Sequence, residues 1–352
     1  MQDSLIKIDI NKLYNINQSN SLFFHLENFG STSCYIFYNN YTGFTYKFKS
    51  GLFSNDNIIK RFDLIFLGSQ NLKDFPFYED NKYRDSYCNH AIYFKNNVYY
   101  SFTGGFYNGG IKCFSYQKDE IQNIKITFRK SNNDNIILPY ITALEIINSE
   151  NYLLTGNSKG EIHIYLIIIY PKKEIQLKYF DSLYYHNEEI IYINYNKDLN
   201  LLISTSIDGY INLCKINPFV CIKTYKSPYN DIKFTFLISD PIPLILIYAS
   251  QILFTILLNG FSIYEKYNYL KISNPHIIKS TNHEDLLMVS KDNTIFFINP
   301  CDLKSKLKEI IFPYNIISYC FTKELDEIFG FCQNSKTKEN YICFMKRKIK
   351  NQ

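Results

Sequence analysis

A segment that occurs twice in succession, at residues 141–166 and 190–216, constrains the fold of this chain more than any other feature. Each copy has an alternating apolar strand, a polar turn, a strand that ends in small hydroxylated residues, and a third alternating strand after a tight turn. The tight turns contain Gly160 and Gly209, and Asp-Gly between two such strands is a strong hairpin signal. Allowing for an excursion at 171–185, the copies are one period of ~40–45 residues apart, which indicates a repeat architecture.

Weaker copies of the same pattern flank these two. They lie at 34–48, 91–116, 234–264, 277–299 and 317–345. No window shows an apolar period of about 3.6 residues, so helix is expected to be scarce. About seven units of this length predict an all-β propeller that occupies residues 1–352 as a single domain. The alternating strand Leu5–Ile10 is expected to close the ring by joining the last blade, which removes exposed sheet edges.

The composition agrees with a β fold and narrows the range of functions. Tyr and Phe number 32 and 29 while Trp is absent, and these aromatic residues favour strands. With 46% apolar residues the chain can bury a sizeable core. The net charge is only +5, from 38 basic and 33 acidic residues that are dispersed along the chain, so no nucleic-acid-binding stripe is indicated.

Cysteine spacing and hydropathy exclude several other classes of protein. The nine cysteines form no C-x-x-C pair and no cluster with zinc spacing, so free thiols in a reducing, cytoplasmic compartment are expected, without metal or cofactor. The N-terminal MQDSLIKIDINKLYN lacks the apolar core of a signal peptide. The most apolar stretch, Ile242–Leu258, is too short to span a membrane as a helix. It also contains Pro243, and two buried strands joined at 249–251 explain it better.

The second copy carries residues that resemble the hydrogen-bonded set of a WD40 repeat. That set has a His before the first strand, a Ser or Thr on the second, an Asp in the next turn and a Trp on the third. The matching residues are His186, Ser204 and Asp208, with Cys214 in place of the Trp. The resemblance implies a WD40-like β-propeller with a structural blade clamp, in which Asp208 accepts a hydrogen bond from the His186 ring and Ser204 satisfies the other nitrogen. The alternative reading of His186 is a catalytic base or a metal ligand.

A turn in an earlier repeat points to one particular group of WD40 proteins. The sequence FTGGFYNGGIKCFS at Phe102–Ser115 is similar to a signature turn in the C-terminal WD40 propeller of BEACH-domain proteins, and the order of the following repeats is similar too. The signature residues are Gly104, Gly105, Phe106, Tyr107 and Asn108. This resemblance implies a part in membrane or vesicle trafficking or autophagy, with a BEACH domain as a partner in cis or in trans.

The propeller and the lack of catalytic motifs favour a non-enzymatic scaffold that binds other proteins. No HExxH, P-loop or dinucleotide motif is present, and no catalytic residue is predicted. Long loops near 70–90 and 117–138 are candidates for partner binding. The alternative is an adaptor that binds phosphoinositides or anionic membranes, because the tail 346–352 and the pair Lys172-Lys173 are basic. Either function places the protein in the cytoplasm, and the second places it at a membrane surface.

Overall fold

The strands of this protein arise from alternating apolar segments rich in the β-branched and aromatic residues that suit a pleated sheet. The computed structural model describes residues 4–9, 23–28, 33–39, 42–49, 64–71, 90–96, 98–103, 111–117, 120–129, 141–171, 174–259, 263–280, 283–321, 327–337 and 340–346. Within these ranges the regular structure consists of 28 β-strands and contains no helix. The all-β class predicted from the sequence is confirmed.

The strands are numbered in chain order. Strands β1–β9 are Ser4–Asp9, Phe23–Asn28, Ser33–Asn39, Thr42–Lys49, Leu64–Asn71, His90–Lys95, Val98–Thr103, Lys112–Gln117 and Glu120–Arg129. Strands β10–β17 are Ile141–Ile147, Tyr152–Asn157, Ile162–Tyr170, Glu174–Leu183, Ile190–Asn196, Leu201–Ser206, Tyr210–Ile216 and Phe219–Lys226. Strands β18–β28 are Ile232–Ile238, Leu244–Ala249, Ile252–Leu257, Ile263–Asn268, Ser273–Lys279, Asp285–Lys291, Thr294–Asn299, Asp302–Ile311, Asn315–Phe321, Glu327–Gln333 and Asn340–Lys346.

Antiparallel meanders of four strands make up the described sheets. The strands pair in chain order within β2–β5, β6–β9, β10–β13, β14–β17, β18–β21 and β22–β25. In the last group β1 joins β26–β28, and its register runs from Ser4 opposite Lys346 to Asp9 opposite Tyr341. Strand β2 contacts β26, so the first and last groups are neighbours. A ring of seven blades closed by the N-terminal strand stays a prediction, and this arrangement of sheets agrees with it.

One strand pairing lies outside the sequence prediction. Strand β13 also pairs in parallel with β9, so two meanders share a sheet of eight strands. The segment 117–138, predicted as a long loop, therefore contains a strand of ten residues that is held on both edges. Most of the other predicted loop, 72–89, lies outside the described residues, as do residues 347–352 of the basic tail.

The apolar side chains form layers between neighbouring sheets. One cluster joins β6–β9 to β10–β13, and further clusters join each following pair of sheets as far as β26–β28. Strand β19, from the most apolar stretch, is buried at every residue, and β20 follows after a turn at Ser250 and Gln251. The prediction of two buried strands there is confirmed. Among the described residues there is no helix with the length and apolarity needed to cross a bilayer.

Side chains on the first strand of a sheet hydrogen-bond to the backbone of the next sheet. Glu145 on β10 accepts from the N–H groups of Ile146 at 3.0 Å and of Tyr195 on β14 at 3.3 Å. Asn194 stands at the corresponding position of β14 and accepts from the Leu237 N–H on β18 at 3.3 Å. Burial raises the pKa of Glu145 to about 7, although the two N–H donors oppose the shift. A carboxyl and an amide thus perform the same bridging role in successive sheets.

Lys279, the last residue of β22, joins three sheets through carboxylates. Its Nζ lies 2.7 Å from Asp240 Oδ2, 2.8 Å from Asp285 Oδ1 and 3.1 Å from Asp198 Oδ2. Asp285 is only 2% exposed, and its Oδ2 also accepts the N–H of Ser239 at 2.7 Å. This buried carboxylate is therefore satisfied by both a cation and a backbone donor, as a buried charge requires.

Candidate protein-binding surface

The segment 184–189 connects β13 to β14 and rests on the turn between β15 and β16. The Ile207 N–H in that turn donates to the Glu189 carbonyl at 2.9 Å. On the other side, the turn at Gly160 packs so closely that a Cβ there would lie 2.6 Å from the His186 carbonyl oxygen. The φ of Gly160 is +82°, a region that residues with a Cβ rarely adopt. Both features make glycine necessary at this contact between sheets.

The His186 imidazole is buried against the second strand of its sheet. Its Nε2 and Ser204 Oγ form a hydrogen bond of 2.8 Å, so the structure brings these two predicted residues together. Burial lowers the pKa of His186 to about 4, against the opposing effects of the Asp208 charge and the Ser204 hydrogen bond. The ring is therefore neutral at pH 7 and serves as a buried hydrogen-bonding group.

Asp208 has a different partner from the one that the WD40 resemblance implies. Its Oδ1 accepts a hydrogen bond from the Tyr210 N–H at 2.9 Å, which stabilises the turn before β16. Within the part of the chain that the structure describes, Asp208 makes no hydrogen bond to the His186 ring and acts on it through charge. A short carboxylate in a turn satisfies the backbone donor two residues ahead, and this local bond decides where Asp208 points.

The His186 ring is also contacted by Asn212, a residue outside the set that the WD40 resemblance implies. Asn212 lies directly opposite Ser204 in the pairing of β15 with β16, whereas Cys214 lies two residues further along the strand. The Nδ2 atom of Asn212 is 3.1 Å from Nε2 of His186 and donates to the Tyr185 carbonyl at 3.1 Å. We refer to His186, Ser204 and Asn212 as the clamp.

The first copy of the repeat also has a hydrogen-bonding side chain at the position of Asn212. His163 is the third residue after Gly160, just as Asn212 is the third after Gly209. His163 Nδ1 lies 2.7 Å from Ser182 Oγ on β13, and Thr224 Oγ1 on β17 likewise donates to Asn212 Oδ1 at 2.6 Å. Neither His163 nor Asn212 matches the WD40 set by residue type. Counting from the turn glycine is the sequence signal that finds both.

The BEACH-like signature turn lies between β7 and β8. Its residues Gly104, Gly105, Phe106, Tyr107 and Asn108 are outside the described residues. The two strands that flank the turn pair with each other, from Tyr99 opposite Tyr116 to Thr103 opposite Lys112. The signature therefore stays a prediction from the sequence.

Four large apolar side chains are exposed on the segment 184–189 and at the turn between β15 and β16. Tyr184 is 67% exposed, Ile207 61%, Tyr210 41% and Tyr185 40%. Lys226 Nζ lies 4.1 Å from the centroid of the Tyr210 ring, which adds a cation at the edge of the group. We refer to these four side chains as the clamp surface. Exposed aromatic residues on a rigid backbone are typical of protein-binding sites.

The described residues offer little else that indicates chemistry. Among them, no group of three or more His, Cys, Asp or Glu side chains is placed to hold a metal ion. Six cysteines are free thiols in the structure: Cys113, Cys214, Cys221, Cys301, Cys332 and Cys343. Burial raises the pKa of Cys113 and of Cys214, which keeps both thiols protonated and unreactive.

Comparison with known proteins shows the fold. No family model and no curated protein matches the sequence. A crystal structure of the WD40 β-propeller domain of Doa1 is similar with a TM-score of 0.54 and 9% identity, over 94% of this chain and 98% of that one. A chain in a crystal structure of the mitotic checkpoint complex is similar with a TM-score of 0.51 and 11% identity, over 70% of this chain and 73% of that one. With these neighbours and its four-stranded meanders, the chain has a WD40-like β-propeller fold.

Proposed function

We propose that this protein is a non-enzymatic scaffold that binds another protein through the clamp surface. The observation that carries the proposal is the exposure of Tyr184 and Ile207, 67% and 61%, on two segments whose backbones are held by hydrogen bonds. Asn212 holds the Tyr185 carbonyl, and the Ile207 N–H is bonded to the Glu189 carbonyl. Such exposure leaves apolar area in water that a partner can cover.

The energetics favour binding at this surface. Apolar area removed from water contributes about 25 cal/mol per Å². Ordering a flexible loop at an interface would offset part of this gain, at about 0.5–1.5 kcal/mol for each immobilised side chain. Because hydrogen bonds to Asn212 and to the Glu189 carbonyl already hold the backbone of the two segments, less of that cost falls on binding. Lys226 beside Tyr210 supplies a polar rim, as protein interfaces commonly have.

A pair of double variants tests the proposal. Tyr184→Ser with Ile207→Ser removes the two most exposed side chains of the clamp surface, while Tyr264→Ser with Ile311→Ser removes exposed apolar area on β21 and β25. The tagged protein is purified from its own cells, and the co-purifying proteins are quantified against wild type. We expect the first double variant to lose partners that the second retains, with both melting like the wild type. Retention of every partner by the first variant would contradict the proposal.

The BEACH-like signature extends the proposal to membrane or vesicle trafficking or autophagy, in the cytoplasm or at a membrane surface. Its support is the sequence of Phe102–Ser115 and the order of the repeats. Titration of the chain with a purified BEACH domain tests this extension. Absence of binding removes the trafficking role and leaves the scaffold proposal standing. The alternative of an anionic-membrane adaptor rests on Lys172-Lys173 and the tail beyond Lys346, which lie outside the described residues.

A further inference from the structure

The hairpin of β12 and β13 is longer than its counterpart in the next sheet. β12 has nine residues and β13 ten, against seven and eight in β16 and β17. Strand β11 pairs with β12 only as far as Tyr152 opposite Leu166, after which the Ile167 N–H donates to the Asn151 carbonyl at 2.8 Å. The residues 168–170 extend past β11 while still paired with β13.

This extension leaves one strand edge open. In an antiparallel strand the N–H and C=O of a residue point to the same side, and the side alternates along the chain. Because the Ile167 N–H points toward β11, the N–H and C=O of Ile169 point to that side too. In the part of the chain that the structure describes, no backbone partner meets Ile169 there. An unpaired strand edge is a template for an added strand.

The open edge faces a groove. The groove has a volume of about 500 Å³ and runs between the turn at Lys95 and Asn96, Asn151, and the stretch Leu166–Pro171. Its apolar wall includes Ile168 and Ile169, which are half-buried. Leu166 and Ile167 are already bonded to β11 and Asn151, so at about 3.3 Å per residue the open edge at 168–171 can pair with about three residues of an extended peptide. The groove therefore has the dimensions of a strand-addition site.

The opposite wall of the groove carries a positive charge without a described counter-ion. Lys95 is a half-buried residue, and its Nζ donates to Asn151 Oδ1 at 2.9 Å. Its other described contact is with the Tyr93 ring, whose centroid is 5.9 Å away. An ammonium has three donors, so two remain for a ligand. Since no carboxylate among the described residues pairs with Lys95, an acidic group is the complementary ligand.

We propose that this groove binds an extended, acidic–aliphatic segment of a partner protein. The segment adds as a strand beside Ile169, places aliphatic side chains against the apolar wall and brings a carboxylate to Lys95. A concave groove with an open strand edge suits a peptide better than a flat membrane. The inference rests on the proposed scaffold function but uses other residues than the clamp surface, so that the two can fail separately.

The test uses fluorescence anisotropy with the full chain and labelled peptides. The acidic probe is acetyl-Val-Asp-Val-Asp-Val-amide, its basic counterpart has Lys for Asp, and a third peptide is the acidic one with alternate backbone nitrogens methylated. The variants are Lys95→Met, Lys95→Arg and the control Lys215→Met, which removes an exposed lysine from β16. Far-ultraviolet circular dichroism and thermal unfolding establish that each variant is folded.

We expect the acidic peptide to bind and the basic and methylated peptides to bind at least about tenfold more weakly. Lys95→Met lowers the affinity for the acidic peptide by about the same factor, whereas Lys95→Arg and Lys215→Met leave that affinity near the wild-type value. Absence of acidic-peptide binding, equal binding of the three peptides, or no effect of Lys95→Met overturns the proposal.

A last arm measures binding of the chain to vesicles of phosphatidylserine and phosphatidylcholine. Vesicle binding lost in Lys95→Met, without peptide binding, assigns Lys95 to a membrane and also overturns the proposal. Because the peptide series leaves the protein unchanged, an unfolded variant does not block the test. A clamp-surface double variant that still binds the acidic peptide separates this groove from the clamp surface.

Discussion

Asn212 and Ser204 lie opposite each other on β16 and β15, and the amide nitrogen of Asn212 stands 3.1 Å from Nε2 of His186. The same amide nitrogen donates to the Tyr185 carbonyl. Asn212 thereby connects the buried clamp to the segment that presents Tyr184 and Tyr185. An amide with both donor and acceptor atoms can bridge these groups, which a thiol at Cys214 cannot do as well.

Replacing Asn212 therefore has a larger effect than replacing Cys214. Asn212→Ala leaves buried hydrogen-bonding groups unpaired and is expected to cost about 1–3 kcal/mol in the free energy of unfolding. Cys214→Ala removes one buried sulfur and is expected to cost about 1 kcal/mol. Urea denaturation followed by circular dichroism measures both. A larger cost for Cys214→Ala would show that the clamp does not depend on Asn212.

Alanine substitutions at Gly160 and Gly209 form a matched pair of variants that tests the close contact of Gly160 with the His186 backbone. Both have a φ of +82°, so an alanine is strained by about 1–2 kcal/mol at either position. At Gly160 the new Cβ also meets the His186 carbonyl oxygen at 2.6 Å, whereas at Gly209 its nearest neighbour is the flexible Lys226 Nζ at 3.6 Å. Gly160→Ala is expected to lower the unfolding free energy by about 1–3 kcal/mol more than Gly209→Ala. Equal thermal unfolding of the two variants would contradict the close packing.

The lowered pKa of His186 predicts a loss of stability in acid. The folded state holds the ring neutral down to about pH 4, while the unfolded chain takes up a proton near the ordinary pKa of 6.5. The stabilising contribution is therefore present above pH 6.5 and is lost as the pH falls to 4, by up to about 3 kcal/mol. His186→Gln, which cannot titrate, should lack this part of the pH dependence. Parallel stability curves for wild type and variant between pH 7 and pH 4 would argue against a buried neutral ring.

The raised pKa of Glu145 predicts the opposite dependence of stability on pH. Burial raises its pKa to about 7 in the folded state, above the ordinary value of 4.5, and the Tyr192 phenol beside it has a raised pKa for the same reason. The contribution of Glu145 is present below pH 4.5 and is lost as the pH rises through about 7. Glu145→Gln keeps an acceptor for the Tyr195 N–H and should be more stable than wild type at pH 8.5 but not at pH 4. Urea midpoints at the two pH values measure this, and an equal change at both would contradict it.

Substitutions of Lys279 and Lys306 compare an ion pair that has a buried carboxylate with an ion pair that is exposed on both sides. Their side chains are 40% and 41% exposed, but one partner of Lys279 is Asp285, at 2% exposure, while Lys306 pairs with the 45% exposed Glu309. Lys279→Met is expected to cost about 1–2 kcal/mol because it leaves a buried carboxylate without its cation. Lys306→Met is expected to cost no more than about 0.5 kcal/mol. Denaturant unfolding of both variants measures the difference, and equal costs would show that Asp285 is satisfied by backbone donors alone.

Much of the fold follows from local sequence, because the strands and turns depend on near neighbours. The alternating apolar segments and the turn glycines at Gly160 and Gly209 predict antiparallel meanders, and the buried strands β19 and β20 follow from the same pattern. The hydrogen bond between His186 and Ser204 follows from residue type and order. The position of Asn212 is also local, since it depends on the hairpin register counted from the glycine.

The contacts between strands that are far apart in the chain were decided by the tertiary structure alone. The parallel pairing of β13 with β9, the bridge from Glu145 to Tyr195 and the carboxylates around Lys279 all join different sheets. The aromatic residues that dominate the composition are divided in the same way, with Tyr225 buried and Tyr184 exposed. Residue type and alternation determine which segments become strands. Which groups meet, and which remain open to a partner, depends on how neighbouring sheets are set side by side, and that placement is encoded by packing rather than by any single motif.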